Sequence, residues 1–194
     1  MVRRLLVTLV SIASAAFSLA AQSSGTPDDL MGGFQSSSGA IIKIVAEGDR
    51  LFTVPASGPR QELVPKTGTV YVTNPGGETV TFTREGNGRV SHIIVGEAEK
   101  WTRIVVQPST LATYVGTYPL SPKLSMTVTL EGDRLIAQAT GASKHPLHPL
   151  SQTRFFVQDS ASADSAEMEF GGGEQGMPFV IFHQSGSQQK VMRQ

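Results

Sequence analysis

Glu47-Gly48-Asp49-Arg50-Leu51 returns unchanged at Glu131-Gly132-Asp133-Arg134-Leu135, 84 residues further on. Around this turn the two stretches keep register without a gap: Gly32 answers Gly116, Phe34 answers Tyr118, Leu63 answers Leu147, Pro65 answers Pro149 and Tyr71 answers Phe155. After a small insertion the spacing becomes 88, where Phe82 meets Phe170 and Gly88 meets Gly176. The period exceeds the ~20–50 residues of solenoid or propeller units, so each copy is expected to be a small domain. A domain of roughly 80 residues buries a modest core, and the copies are expected to lean on each other.

Around the repeated turn the pattern is β. Leu124, Met126, Val128 and Leu130 alternate with Ser125, Thr127 and Thr129, as when one strand face packs inward. The first copy has the same phase at Ala40, Ile42, Ile44 and Ala46, less cleanly because Ile41 and Val45 are also apolar. The turn then joins this strand to Leu51–Val54 or Leu135–Ala139, with glycine free to take positive φ and Asp accepting local backbone bonds. Further strands are predicted near Glu62–Val64, Thr69–Thr73, Thr79–Thr83, Val90–Val95 and Lys100–Arg103, with counterparts in the second copy. Gly76-Gly77, Glu85-Gly86-Asn87-Gly88 and Gly171-Gly172-Gly173 supply the breaks. About eight short strands per copy argue for an antiparallel meander closed into a small barrel, which also removes exposed edges. Thr26-Pro27-Asp28-Asp29 predicts one short helical turn, and Pro108-Ser109-Thr110 opens the second copy in a similar way.

Residues 1–21 read as a signal peptide: Arg3 and Arg4, the apolar run Leu5–Leu19, then small residues before Ala21. Ser11, Ser14 and Ser18 interrupt the run, which favours a signal over a spanning anchor, and no later segment is apolar enough to cross a bilayer. A periplasmic or secreted location is expected. There is no cysteine, so stability rests on packing and thiol chemistry is excluded. Past the signal, 14 basic residues face 16 acidic ones, which leaves no footprint for nucleic acid.

Candidate chemistry is thin. Ser187-Gln188-Gln189-Lys190 fits S-x-x-K and Lys66-Thr67-Gly68 fits K-T-G, but the order is reversed and Ser187 lies in a Gly/Ser turn rather than at a helix start. His145 and His148 have superficial ligand spacing, yet on an extended strand an offset of three points side chains to opposite faces. Their counterparts are Gln61 and Val64, and His92 and His183 also lack a histidine partner in the other copy. All four read as surface histidines rather than metal ligands. Asp49-Arg50 and Asp133-Arg134 read as exposed turns with a local ion pair rather than as a binding pair. Trp101 reads as a barrel plug or interface support. No catalytic residue, metal or cofactor is assigned.

The second copy carries Tyr114-Val115-Gly116-Thr117-Tyr118, the Glu-Gly-Asp-Arg-Leu turn, Leu147-His148-Pro149, Phe155-Phe156, Glu167-Met168-Glu169-Phe170 and a closing Arg193. This pattern resembles the lipocalin-like β-barrel domain of unknown function found C-terminal to serine β-lactamase-like hydrolases and related peptidases. The resemblance covers nearly all of 111–194. The first copy looks like a divergent version over about 30–105, with Leu30 in place of Tyr114 and Gly33 in place of Thr117. It implies an accessory barrel of the kind that caps or adjusts a catalytic domain; here either the barrels act alone or their partner is another polypeptide.

The resulting expectation is an all-β chain of two tandem lipocalin-like barrels. Its parts are a signal peptide at 1–21, a polar leader at 22–29, repeats at 30–105 and 111–194, and a linker at 106–110. The expected role is a noncatalytic binding or accessory module, its partner an exported serine hydrolase or other envelope protein. One alternative is a carrier of a small apolar ligand in a barrel cavity, against which Met126, Phe155, Phe170 and Phe182 argue if they fill the interior. An enzyme would need His145 or His148 gathered with carboxylates such as Glu62 or Asp159.

Overall fold

The computed structural model describes residues 27–158, 165–172, 176, 178–184 and 186–194. The expected signal and residues 22–26 of the polar leader lie outside these, and Pro27–Leu30 forms the short helix α1. Eight strands follow: β1 (Gly32–Ser36), β2 (Ile41–Glu47), β3 (Arg50–Pro55), β4 (Gln61–Thr67), β5 (Val70–Asn74), β6 (Thr79–Arg84), β7 (Val90–Val95) and β8 (Glu99–Arg103). Each pairs antiparallel with the next, and β8 returns to β1 to close a barrel. The repeated turn sets the register: Glu47 pairs with Arg50 across it, with Gly48 at φ +58°.

The period-two pattern delivers the expected face. Phe34, Ile44, Leu51, Leu63, Phe82 and Ile93 are buried together inside the barrel. Tyr71 meets Phe82 edge-on at 5.3 Å. Arg103, at the end of β8, closes the barrel end by donating to the carbonyls of Val90 and Met31 at 2.7 Å and of Asp29 at 3.0 Å. Its guanidinium lies over the Phe34 ring and beside Gly32, where an added Cβ would sit 2.3 Å from Nη1.

The expected linker is not a free connection. Residues 104–107 lead into helix α2 (Pro108–Ala112), and Val106 and Leu111 are buried in the second core. Among the described residues the second half has nine strands: β9 (Gly116–Ser121), β10 (Leu124–Glu131), β11 (Arg134–Ala139), β12 (Lys144–Pro146), β13 (His148–Pro149), β14 (Arg154–Gln158), β15 (Ser165–Gly172), β16 (Pro178–Gln184) and β17 (Ser187–Met192). Gly171 and Gly172, expected as a break, belong to β15, with Phe179 packed into the space a Cβ on Gly171 would need. A common core holds Tyr118, Val128, Leu135, Leu147, Phe155 and Phe170. Tyr114 stacks on Phe170 at 4.7 Å, and the Tyr118 hydroxyl donates to the Tyr114 carbonyl at 2.8 Å.

These nine strands form two sheets, β12-β11-β10-β9 and β13-β14-β15-β16-β17, rather than one closed ladder. Prolines stand at both interruptions. In β4, Glu62 pairs with Phe52 on one side and Asn74 on the other, so that strand runs through both ladders. Pro146, 84 residues on, has no N–H to serve a second ladder; β12 pairs with β11, and β13 takes over the pairing to β14. At the other seam the Thr117 carbonyl accepts the Gln194 N–H at 3.0 Å. The next position of β9 facing that side is Pro119, again without a donor, whereas its barrel counterpart Gln35 pairs with Thr102.

The halves dock through outward faces. On β2 and β3, Ile41, Val45, Phe52 and Val54 point away from the barrel core and meet Leu150 and Phe156 of the second half. This explains why β2 is apolar on both faces. Phe155 and Phe156 divide the work, the first in the second core and the second in the interface. Beside them Lys43 donates to Glu167 at 2.9 Å, and Arg154 reaches the same carboxylate at 2.6 Å. Burial alone would raise the Glu167 pKa, but Lys43 and Arg154 outweigh it and hold the carboxyl below its ordinary value. Gly33 lies against the second half, where a Cβ would fall 2.3 Å from the Pro149 carbonyl oxygen. Gly33→Ala is expected to lower stability by about 1–3 kcal/mol through backbone displacement at the docking face. Phe156→Ala is expected to cost about 3–5 kcal/mol. Urea denaturation of each variant beside the parent protein measures both.

Candidate functional site

The docking of the halves leaves a cleft of about 670 Å³ between them. That lies within the roughly 300–1,000 Å³ of small-ligand sites. Its floor is apolar, with Met31 from the start of β1, Leu111 from α2, and Leu135, Leu147 and Phe155 from the second half. Its rim is charged, with Asp28 and Asp29 on α1, Glu85 and Arg89 on the turn between β6 and β7, and Asp133 and Arg134 on the repeated turn.

The charges are unevenly matched. Arg89 is bound to both oxygens of Asp133, an exposed pair of small energetic value. Arg103 is engaged by backbone carbonyls; burial, aided by the nearby Arg134 and Arg84, pushes its pKa down to about 10, which leaves it charged at neutral pH. Among the described residues Arg134 has no carboxylate within ion-pair distance, and Asp28, Asp29 and Glu85 have no cationic side chain within it, although the Asp29 charge acts on Arg103. The expected local pairs in the repeated turns are therefore corrected. Arg50 binds Glu62 through two bonds at 2.7 and 2.6 Å, and Asp133 turns to Arg89. Arg50 and Asp133 thus find their partners on β4 and on the turn before β7 rather than in their own neighbour in a tight turn.

His148 is the second correction. It is not a surface histidine: only 6% exposed, it lines the cleft, stacks on Phe156 at 5.0 Å and has no partner for Nε2 among the described residues. Burial, with Arg103 and Arg134 close by, pushes its pKa down to about 3, so the ring is neutral. The burial follows from docking: its strand β13 runs next to β1, a neighbour that the second copy alone does not reveal.

The other candidates stay apart. His145 pairs across to Ala137 on β11 and belongs to a different sheet from His148. His92 bonds Ser91 at 3.0 Å, and His183 stands 3.5 Å from Glu169, a contact without hydrogen-bond geometry. Ser187 and Lys190 lie on the exposed strand β17, with the Lys190 ammonium over Phe179 at 3.9 Å. Lys66 and Thr67 end β4 on the barrel surface. Glu62 is taken by Arg50, and Asp159 lies outside the described residues. Trp101 packs against the barrel core. No group of three metal-ligating side chains occurs among the described residues, and no helix there is long and apolar enough to cross a membrane.

Residues 102–189 match the family described as Domain of unknown function (DUF3471). Over 80 residues the chain is 36% identical to a protein named Penicillin-binding protein 4* of Bacillus subtilis (strain 168). That similarity spans 41% of this chain and 17% of the relative's length.

The buried His148 sets a pH dependence. Its folded pKa is depressed, so between about 3 and its ordinary value of 6.5 the unfolded chain binds the extra proton. Its contribution is fully present above pH 6.5 and is lost as pH falls toward 3. Unfolding free energy is expected to drop by about 1 kcal/mol per pH unit over that range. In His148→Gln that slope is expected to vanish, while the loss due to Glu167 at lower pH remains. Denaturation curves at stepped pH from neutral downward compare the two proteins.

Proposed function

We propose that the protein is an exported, noncatalytic accessory module that acts in trans on a serine hydrolase of the penicillin-binding class. The observations that carry this reading are the match of residues 102–189 to the domain family and the 36% identity over 80 residues to a protein named as a penicillin-binding protein. The family resemblance supplies the role, a barrel that accompanies a catalytic domain. The residues point the same way: Ser187 and Lys190 lie on β17, Lys66 on β4, and His92, His145, His148 and His183 on four other strands, rather than around one reacting centre.

On this reading the chain is a tandem duplication. The C-terminal sheets are a second barrel of the same descent, opened where Pro119 and Pro146 remove ladder donors. The shared Gly–Arg contacts support it: Gly32 meets Arg103, and Gly116 meets Arg193. Residues 1–21 direct export, which places the module with envelope hydrolases.

Tagged mature protein recovered from its native envelope is expected to co-purify a polypeptide that takes up a fluorescent penicillin at its active-site serine, while the protein itself takes up none. Recovery without any labelled partner, under conditions that label free hydrolases in the same extract, would overturn the reading.

A further inference from the structure

We infer that the cleft between the halves is a binding site for a short peptide with both termini free, its carboxylate on Arg134 and its ammonium on Asp28 and Asp29. This deepens the binding-module reading by naming a ligand class for the cleft, and rests on that reading.

Three guanidiniums converge there. Arg89 is neutralised by Asp133, and Arg103 spends its donors on the carbonyls of Val90, Met31, Asp29 and Leu30. Arg134 adds a third positive charge close enough to disfavour protonation of Arg103 and His148, yet no carboxylate among the described residues answers it. A ligand carboxylate is the natural counter-ion, because a guanidinium binds its two oxygens in a fork. Asp28 and Asp29 line the same cleft, also without an ion-pair partner among the described residues. Asp28, Asp29 and Arg134 all line this one cleft, and opposite charges that form no ion pair among the described residues suit a ligand that carries both signs.

The middle of the site favours a peptide over a simple anion. The exposed Val105 and the half-buried Ile104 offer apolar surface for a side chain, and Ser91, Thr102 and Asn87 line the same cleft. The His148 Nε2 is buried in the wall with no partner among the described residues. A buried polar atom left so costs about 1–3 kcal/mol. A peptide unit carries both an N–H and a C=O, one of which answers Nε2 in either tautomer.

The test is calorimetric titration of the mature full chain with Ala-Leu-Ala and with its N-acetyl, C-amide and doubly blocked forms. The free peptide is expected to bind saturably, and each single block to weaken binding at least about tenfold. Arg134→Gln is expected to weaken the free peptide and abolish the penalty for the amide while keeping the penalty for the acetyl form. A combined Asp28→Asn, Asp29→Asn variant is expected to do the reverse. All these positions are exposed, and circular dichroism verifies that each variant is folded. No saturable binding of the free peptide up to millimolar concentration overturns the inference, as does a doubly blocked peptide that binds as tightly as the free one. Sensitivity to the carboxylate block alone also overturns it, because that marks a plain anion site. Failure here leaves co-purification of a penicillin-labelled hydrolase untouched, so the two readings fail separately.

Discussion

The guanidinium of Arg103 occupies the space beside Gly32 that any side chain would fill, and from there it holds the end of the barrel together. Taking a guanidinium out of water is costly unless its donors are met, and here they are met by carbonyls of α1, of the start of β1 and of β7. One residue on the last strand thereby joins the first strand, the helix before it and a neighbouring strand. Phe34, under the same guanidinium, is wholly buried and ties this lock to the core. The second half repeats the device: Arg193 donates to the carbonyls of Thr113 and Val115, and Gly116 leaves room for its side chain. Without cysteine, such end locks and the two apolar cores carry the stability.

A locked barrel still has an outer face, and here part of it is apolar. Val45 and Phe52 are nearly inaccessible although both point away from the barrel interior, because Leu150 and Phe156 cover them. The Lys43, Glu167 and Arg154 cluster sits at the margin of this patch, where partial burial strengthens the charges and hydrogen bonds satisfy them. Gly33 then takes on meaning as a point where the two halves differ. Its counterpart Thr117 has a side chain, but at Gly33 the backbone of Pro149 approaches too closely for one. The cleft follows directly: two rounded bodies joined along one patch leave a re-entrant space beside it. The end lock and the repeated turn Glu131-Gly132-Asp133-Arg134 both border that space.

Much of the fold was legible in the sequence. The recurrence of Glu-Gly-Asp-Arg-Leu located the hairpins, period-two alternation put Ile44 and Val128 on the inward faces of their strands, and glycine clusters marked most turns. These are local properties, written in backbone preference and in which side of a strand is apolar. Gly171-Gly172 misled because a glycine in a strand serves close packing, here by Phe179, as well as a turn does. The openings at Pro119 and Pro146 were visible as residues but not as seams, since a missing N–H matters only when the ladder it should serve is known.

The sequence by itself determined the β architecture, the register of the two hairpins at the repeated turn and the inward face of the strands that lead into it, because those follow from neighbours a few residues apart. Only the tertiary structure decided what lies between the halves. Whether Arg134 meets Asp133 or stands free, whether His148 is wet or buried, and whether Val45 faces water or Phe156 depend on residues separated by dozens of positions. Their energies come from desolvation and Coulomb attraction across a docking face, quantities that a linear pattern of residue types does not contain.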